Sequence, residues 1–116
     1  MPEELKKVPA RFYRSASERE PVREWLKAMS PDDRRAIGQD IATVEYGWPI
    51  GMPICRPLRE GLWEVRCTLP SHRIARVMFV LVQGHLVLLH GFIKKTRETP
   101  KAEMAIARRR MQEVLG

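Results

Sequence analysis

Gly61-Leu62-Trp63-Glu64-Val65-Arg66-Cys67-Thr68-Leu69, then Arg73-Ile74-Ala75-Arg76-Val77-Met78-Phe79-Val80-Leu81-Val82, then Leu86-Val87-Leu88-Leu89-His90-Gly91-Phe92-Ile93 is the stretch that decides the fold. β-Branched, aromatic and leucine side chains crowd all three runs, which marks extended chain. Pro70-Ser71-His72 and Gln83-Gly84-His85 interrupt them. Connections this short join only antiparallel neighbours, because a parallel pair needs a crossover of about a dozen residues or more. A three-stranded meander over 62–93 follows. On its first strand Glu64 and Arg66 share one face, and Trp63, Val65 and Cys67 share the other. On its second, Arg73 and Arg76 have opposite parity unless a bulge intervenes.

Upstream, 47–57 holds three prolines and two glycines and reads as a loop. Before it the period is helical. Pro21 suits a first helical turn, and Val22, Trp25, Leu26 and Met29 fall at i, i+3, i+4 and i+7. Ser30-Pro31-Asp32-Asp33 then offers a capping hydroxyl, a proline and two acids for the positive end of a second helix, which should run to about Tyr46 with Ile37, Ile41 and Val44 inward. The two helices form a hairpin over 20–46. Ala10 to Arg14 reads as a first strand, and Thr99-Pro100-Lys101-Ala102-Glu103 as the capped start of a last helix carrying Met104, Ala107, Met111 and Val114. The order is β-α-α-β-β-β-α within one domain spanning 1–116. This predicts an α+β fold with a mainly antiparallel sheet, the helical hairpin on one face and the other face open to a ligand.

The 116 residues are 44% hydrophobic and 30% charged, the composition of a globular chain rather than a disordered one. No window approaches the roughly 18 apolar residues that span a bilayer, and Met1 to Val8 is charged with no apolar signal core behind it. The expectation is a cytoplasmic protein with no membrane partner. Cys55 and Cys67 are too few for a disulfide framework and lack ligand spacing with any histidine, so reduced, packed thiols are expected, with no metal and no cofactor. The charge is uneven. Lys and Arg exceed Asp and Glu by 21 to 14; residues 1–58 hold 10 basic and 9 acidic side chains, residues 59–116 hold 11 and 5. Such a basic half attracts a polyanion or an acidic protein, unless the cations only solubilise the surface.

Arg66, Arg73, Arg76, Lys94 and Lys95 lie on or beside the three strands, with Phe92 among them. Cations beside a flat ring suit single-stranded RNA, with charge for phosphate and a face for an unstacked base. His90 is either a packed, hydrogen-bonded histidine or the group that titrates near neutrality. Glu64 is either a base or an ion-pair partner of Arg66. His72 and His85 fall in turns, with no chemistry expected of them. Arg108-Arg109-Arg110 reads as a solvated helix face, and Trp25 and Trp48 as core and loop anchors.

The segments Gly61-Leu62-Trp63-Glu64-Val65-Arg66, His72-Arg73-Ile74 and Leu89-His90-Gly91-Phe92-Ile93-Lys94-Lys95-Thr96, followed by Thr99-Pro100 and a terminal helix, resemble the HigB-like, phage-associated branch of the RelE/ParE toxins. Phe12-Tyr13-Arg14 and Arg19 to Leu26 are similar to that branch's first strand and helix, so the likeness spans nearly the whole chain. It implies a RelE-like fold and the toxin of a type II toxin–antitoxin pair, an endoribonuclease that cuts mRNA on the ribosome. Its cognate antitoxin is expected to be a helix-turn-helix protein. By the same resemblance, the 2′-hydroxyl of the RNA attacks the adjacent phosphate without a metal. Arg66, Arg73 and Lys94 stand at catalytic positions, and Lys95, Phe92 and Arg76 meet RNA. Glu64 stands where RelE-like toxins can carry lysine, and no terminal tyrosine follows Lys95, which leaves acid–base roles open to His90 and Glu64. A ParE-like poison of DNA gyrase and a non-catalytic nucleic-acid-binding module are the rival readings.

Overall fold

In the computed structural model, which describes residues 6–95 and 97–116, a five-stranded sheet is sandwiched between helices. Thr96 of the lysine-rich segment and the first five residues of the charged N-terminus lie outside the described residues. The elements are β1 (Ala10–Phe12), α1 (Pro21–Lys27), α2 (Pro31–Gly47), β2 (Cys55–Pro57), β3 (Leu62–Thr68), β4 (Ile74–Val82), β5 (His85–Ile93) and α3 (Lys101–Leu115). Spatial order is β1-β5-β4-β3-β2; β1 pairs parallel with β5 and every other pairing is antiparallel.

The turns explain the register. Val82 faces His85 across Gln83 and Gly84, whose φ angles of 48° and 78° suit the twist of a two-residue hairpin. His85 therefore opens β5 rather than sitting in the turn. His72, with a φ of 66°, does sit in one. Ser30 caps α2 as its sequence predicts, its hydroxyl accepting from the Asp33 amide at 3.3 Å.

The helical hairpin packs on one face. Val22, Ile37 and Val44 meet Val65, Cys67, Val77, Phe79 and Leu88 there, and Trp48 stands edge-on to Trp63 and Phe79. Gly91 belongs to this face as well, because a Cβ on it would lie 2.3 Å from the Trp25 ring. Both cysteine thiols are buried in this core, which pushes Cys55 up to about 11 and Cys67 higher still, so both stay protonated at neutral pH.

Two expectations are corrected. The opposite face is not open along its length: α3 covers it, with Ala107 and Met111 packed among Met78, Val80, Val87, Leu89 and Phe92. And 47–57 is not all loop, since Cys55–Pro57 adds an edge strand paired with Trp63–Val65. No helix among the described residues is long and apolar enough to cross a membrane.

Candidate nucleic-acid interface

A β-bulge organises the α3 side of the sheet. Phe79 pairs with Leu88 but Met78 pairs with His90, so Leu89 is the extra residue in β5. Beyond it, His90 and Phe92 face the same side as Met78 and Arg76. Arg66 lies opposite Arg76 and Glu64 opposite Met78, so Glu64, Arg66 and Arg76 share the face that α3 covers only in part.

Glu64 is the centre of what remains there. It is only 1% exposed, and it pairs with the buried Arg76 guanidinium and with Nη2 of Arg56 at 2.8 Å. Its ion-pair partners are thus Arg76 and Arg56, reached across the two flanking strands, rather than Arg66. Arg66 is exposed and makes no ion pair among the described residues. Thr99 does not cap α3, whose N-cap is Pro100. Its hydroxyl donates to Glu64 Oε2 at 3.3 Å and accepts from Arg56 Nη2 at 3.2 Å, tying the segment between β5 and α3 down onto the arginines. A carboxylate this deep is tolerable only because its lone pairs are taken.

That tied segment begins with Lys94 and Lys95. Lys94 anchors to the start of β4, its amide donating to the Ile74 carbonyl at 2.7 Å. Its ammonium is held below the ordinary lysine range by partial burial and by the like charges of Arg76, Arg66 and Arg56, in that order. Lys94 also lines, with Arg73, Lys95, Arg97 and His72, a cleft of about 380 Å³. A neighbouring cleft of about 690 Å³ brings Arg73, Lys94 and Lys95 together with Trp25 and Glu103.

Arg73 is not in β4. It closes the turn before it and is gripped from below: Nη2 donates to Asp33 Oδ2 at 3.1 Å and Nε donates to the Ser71 hydroxyl at 3.1 Å. Ser71 in turn donates to Asp33 from its hydroxyl, at 2.8 Å, and from its amide, at 3.3 Å. These bonds, that from the Ser71 hydroxyl above all, hold the buried Asp33 carboxyl below the usual aspartate range. The chain thus brings Arg66, Arg76, Glu64 and Lys94 into one cluster and sets Arg73 and Lys95 beside it, with Lys94 between the two.

The other candidates are engaged elsewhere. His90 Nε2 lies 2.6 Å from Glu103 Oε1, and Arg110 approaches its Nδ1 at 3.4 Å. This is the packed, hydrogen-bonded histidine among the two readings of it. Phe92 is 6% exposed and stacks on His90 with ring centroids 6.0 Å apart, so its face is used within the protein rather than presented to a base. Arg108 and Arg110 are not mere solvated cations: they donate at 2.8 Å to the carbonyls of Leu58 and Leu89 respectively, and Arg110 also lies over the Tyr13 ring. Arg109 alone of the three is exposed. Arg56 was hidden by its place in a proline-rich segment; the short alternation Cys55-Arg56-Pro57 was its only signal. Among the described residues no group of three or more His, Cys, Asp or Glu side chains is placed to hold a metal.

Arg66, Arg73, Lys94 and Lys95 at a partly open sheet end can bind phosphates, and Lys94, with its lowered ammonium, can also give up a proton. No curated protein matches the chain. The model of the family described as Phage derived protein Gp49-like (DUF891) matches residues 24–112, from within α1 to the last turns of α3. The chain belongs to this Gp49-like family, a family of RelE-like toxins of toxin–antitoxin systems.

Proposed function

We propose that the protein is a HigB-like toxin that cuts mRNA on the ribosome and is held inactive by a cognate helix-turn-helix antitoxin. The observation that carries this reading is the placement of Lys94, a lysine with a lowered ammonium, between Arg66 and Arg73 at the uncovered end of the sheet. In the proposed reaction the RNA 2′-hydroxyl gives its proton to solvent water as its oxygen attacks the adjacent phosphorus, the bond to the 5′-oxygen breaks, and the products are a 2′,3′-cyclic phosphate and a 5′-hydroxyl. Arg66 and Arg73 stabilise the charge that develops on the pentacovalent phosphorus oxygens. Asp33 and Ser71 hold Arg73 ready, so little reorganisation is needed as that charge appears. Lys94 gives its proton to the departing 5′-oxygen, a role that favours an ammonium pulled toward the working pH. Lys95, exposed beside Lys94, holds the RNA backbone.

Glu64 and His90 are each committed to internal partners, which favours structural roles for both. A gyrase poison would need no such proton donor. Induction of the chain in cells, with and without its antitoxin, tests the reading. Transcripts cut within reading frames and bearing 5′-hydroxyl ends are expected, with growth restored by the antitoxin. DNA breaks with intact transcripts would overturn it.

A further inference from the structure

Arg56 and Arg76 converge on Glu64 from opposite sides, and each retains an unused donor. The Nε atoms of both are buried without a hydrogen-bond partner among the described residues, and the Arg76 side chain is 8% exposed. A buried donor left unpaired is costly, and two guanidinium groups carry twice the charge that one carboxylate neutralises. Arg66 and Lys94 add to the excess. Burial first, and then the charges of Arg76, Arg66 and Arg56, disfavour the Lys94 ammonium beside them.

Arg56, Arg66 and Arg76, with the Glu64 carboxylate that they outnumber, line a small pocket of about 90 Å³ walled on its apolar side by Met52, Pro53 and Ile54. At about 30 Å³ for each water in the liquid, this is the space of roughly three waters, which suits a tetrahedral oxyanion rather than a base. It is separate from the clefts around Arg73 and Lys95, which none of Arg56, Glu64 or Arg76 lines. Arg56, whose side chain is 38% exposed, lines the pocket while held by Glu64 and Thr99. We infer that this pocket is a second phosphate subsite, in which Arg56 and Arg76 take a phosphodiester neighbouring the one held by Arg73 and Lys94, with Arg66, which lines this pocket too, serving both. The assignment rests on the ribonuclease reading above. Glu64 and Thr99 are its positioning residues, holding the two forks at a fixed spacing.

Two measurements on the whole chain test it. In the first, inorganic phosphate is titrated at low ionic strength while the arginine Nε–Hε signals are followed by NMR. The Arg56 and Arg76 signals should shift together and saturate, should still do so in Arg73→Gln, and should stop doing so in Arg56→Gln. Arg56→Lys keeps a charge facing Glu64 and guards against a folding defect: its amide spectrum should stay native while phosphate affinity falls. No shift in the wild-type chain, or a shift confined to Arg73, would overturn the subsite.

In the second, a 2′-deoxy dinucleotide and trinucleotide, with one and two phosphodiesters and no nucleophile, are compared by binding. The trinucleotide should bind more tightly, with a log–log salt slope steeper by about 0.7, one further phosphate contact on a single strand. Arg56→Gln should erase that increment. If phosphate saturates the pocket but the second phosphodiester adds nothing, the pocket takes an adventitious ion only and the substrate assignment falls. Neither measurement involves toxicity, so a chain that keeps the two-phosphate increment yet cuts no transcript would overturn the ribonuclease reading and not the anion site.

Discussion

Arg73 and Lys94 separate two ways in which a cation can serve a phosphate. Arg73 is fixed by Asp33 and Ser71 and reaches out from them about half exposed, so its fork is oriented before substrate arrives. Arg73→Ala should slow single-turnover cleavage by on the order of a hundredfold or more with little loss of ribosome binding, as removal of one preorganised donor does. An equal loss in both would show that it only binds. Asp33 carries a pH signature of its own. Because its carboxyl lies below the usual value when folded, its ionised form favours the folded chain at neutral pH, and that contribution drains as pH falls from the ordinary aspartate range through the lower folded value. Asp33→Asn should therefore flatten the acid limb of a stability-against-pH curve measured by denaturant unfolding; an unchanged limb would contradict the assignment. For Lys94 the sign is opposite in its consequence for rate. Burial and three arginines lower its ammonium, so the alkaline limb of kcat/KM should fall below the ordinary lysine value of about 10.4, and Lys94→Arg should remove that limb along with most of the activity. A limb unmoved by the substitution would assign the proton to another group.

At the scale of elements, the meander and the helical hairpin were legible in sequence because their periods are long and clean. Val22, Ile37 and Val44 face the sheet as their spacing predicts. What escaped was short or depended on one residue of register. β2 is three residues ending in Pro57, too brief for alternation to show. The bulge at Leu89 cannot be read from β5 alone, yet it decides that His90 and Phe92 face α3 and that Gly91 faces Trp25. α3 reads as an amphipathic helix, but the sheet face it covers is fixed by the contacts of its Glu103 with His90 and of its Arg110 with the Leu89 carbonyl, long-range pairs that patterning does not record. Of the site, the strand cations were legible as residue types, while Arg56 and the division around Lys94 needed the fold. Gly91 offers a test of this layer. A methyl group there would enter the Trp25 ring, so Gly91→Ala should destabilise the chain by about 1–3 kcal/mol in chemical denaturation, the usual cost of overpacking. In a Trp25→Ala background the same change should cost far less, because the obstructing ring is gone. Additive losses would place the strain elsewhere.

Across the whole molecule, a net charge of +7 is concentrated in the residues that build β3 to α3, but much of it is spent internally. Arg76 is committed to Glu64, Arg108 and Arg110 to backbone carbonyls, and Arg19, Arg23 and Arg35 to acids on their own surfaces. Among the described residues, the cations that face outward beside one another are Arg66, Arg73, Lys95 and Arg97, around the half-buried Lys94. A polyanion should therefore be held at one end of the sheet rather than by a diffuse field, and salt separates the two cases. If contacts are local, Lys95→Ala should make the log–log salt dependence of binding to a single-stranded RNA shallower by roughly 0.7, the loss of one phosphate contact. Arg35→Ala, on the exposed face of α2 and 3.1 Å from Asp32, should leave that slope unchanged. If the field of the whole molecule did the holding, both variants would weaken binding alike and neither would change the slope by a full contact. The measurement is a binding titration of each variant at several salt concentrations, and its outcome decides whether the partner meets a site or only a charge.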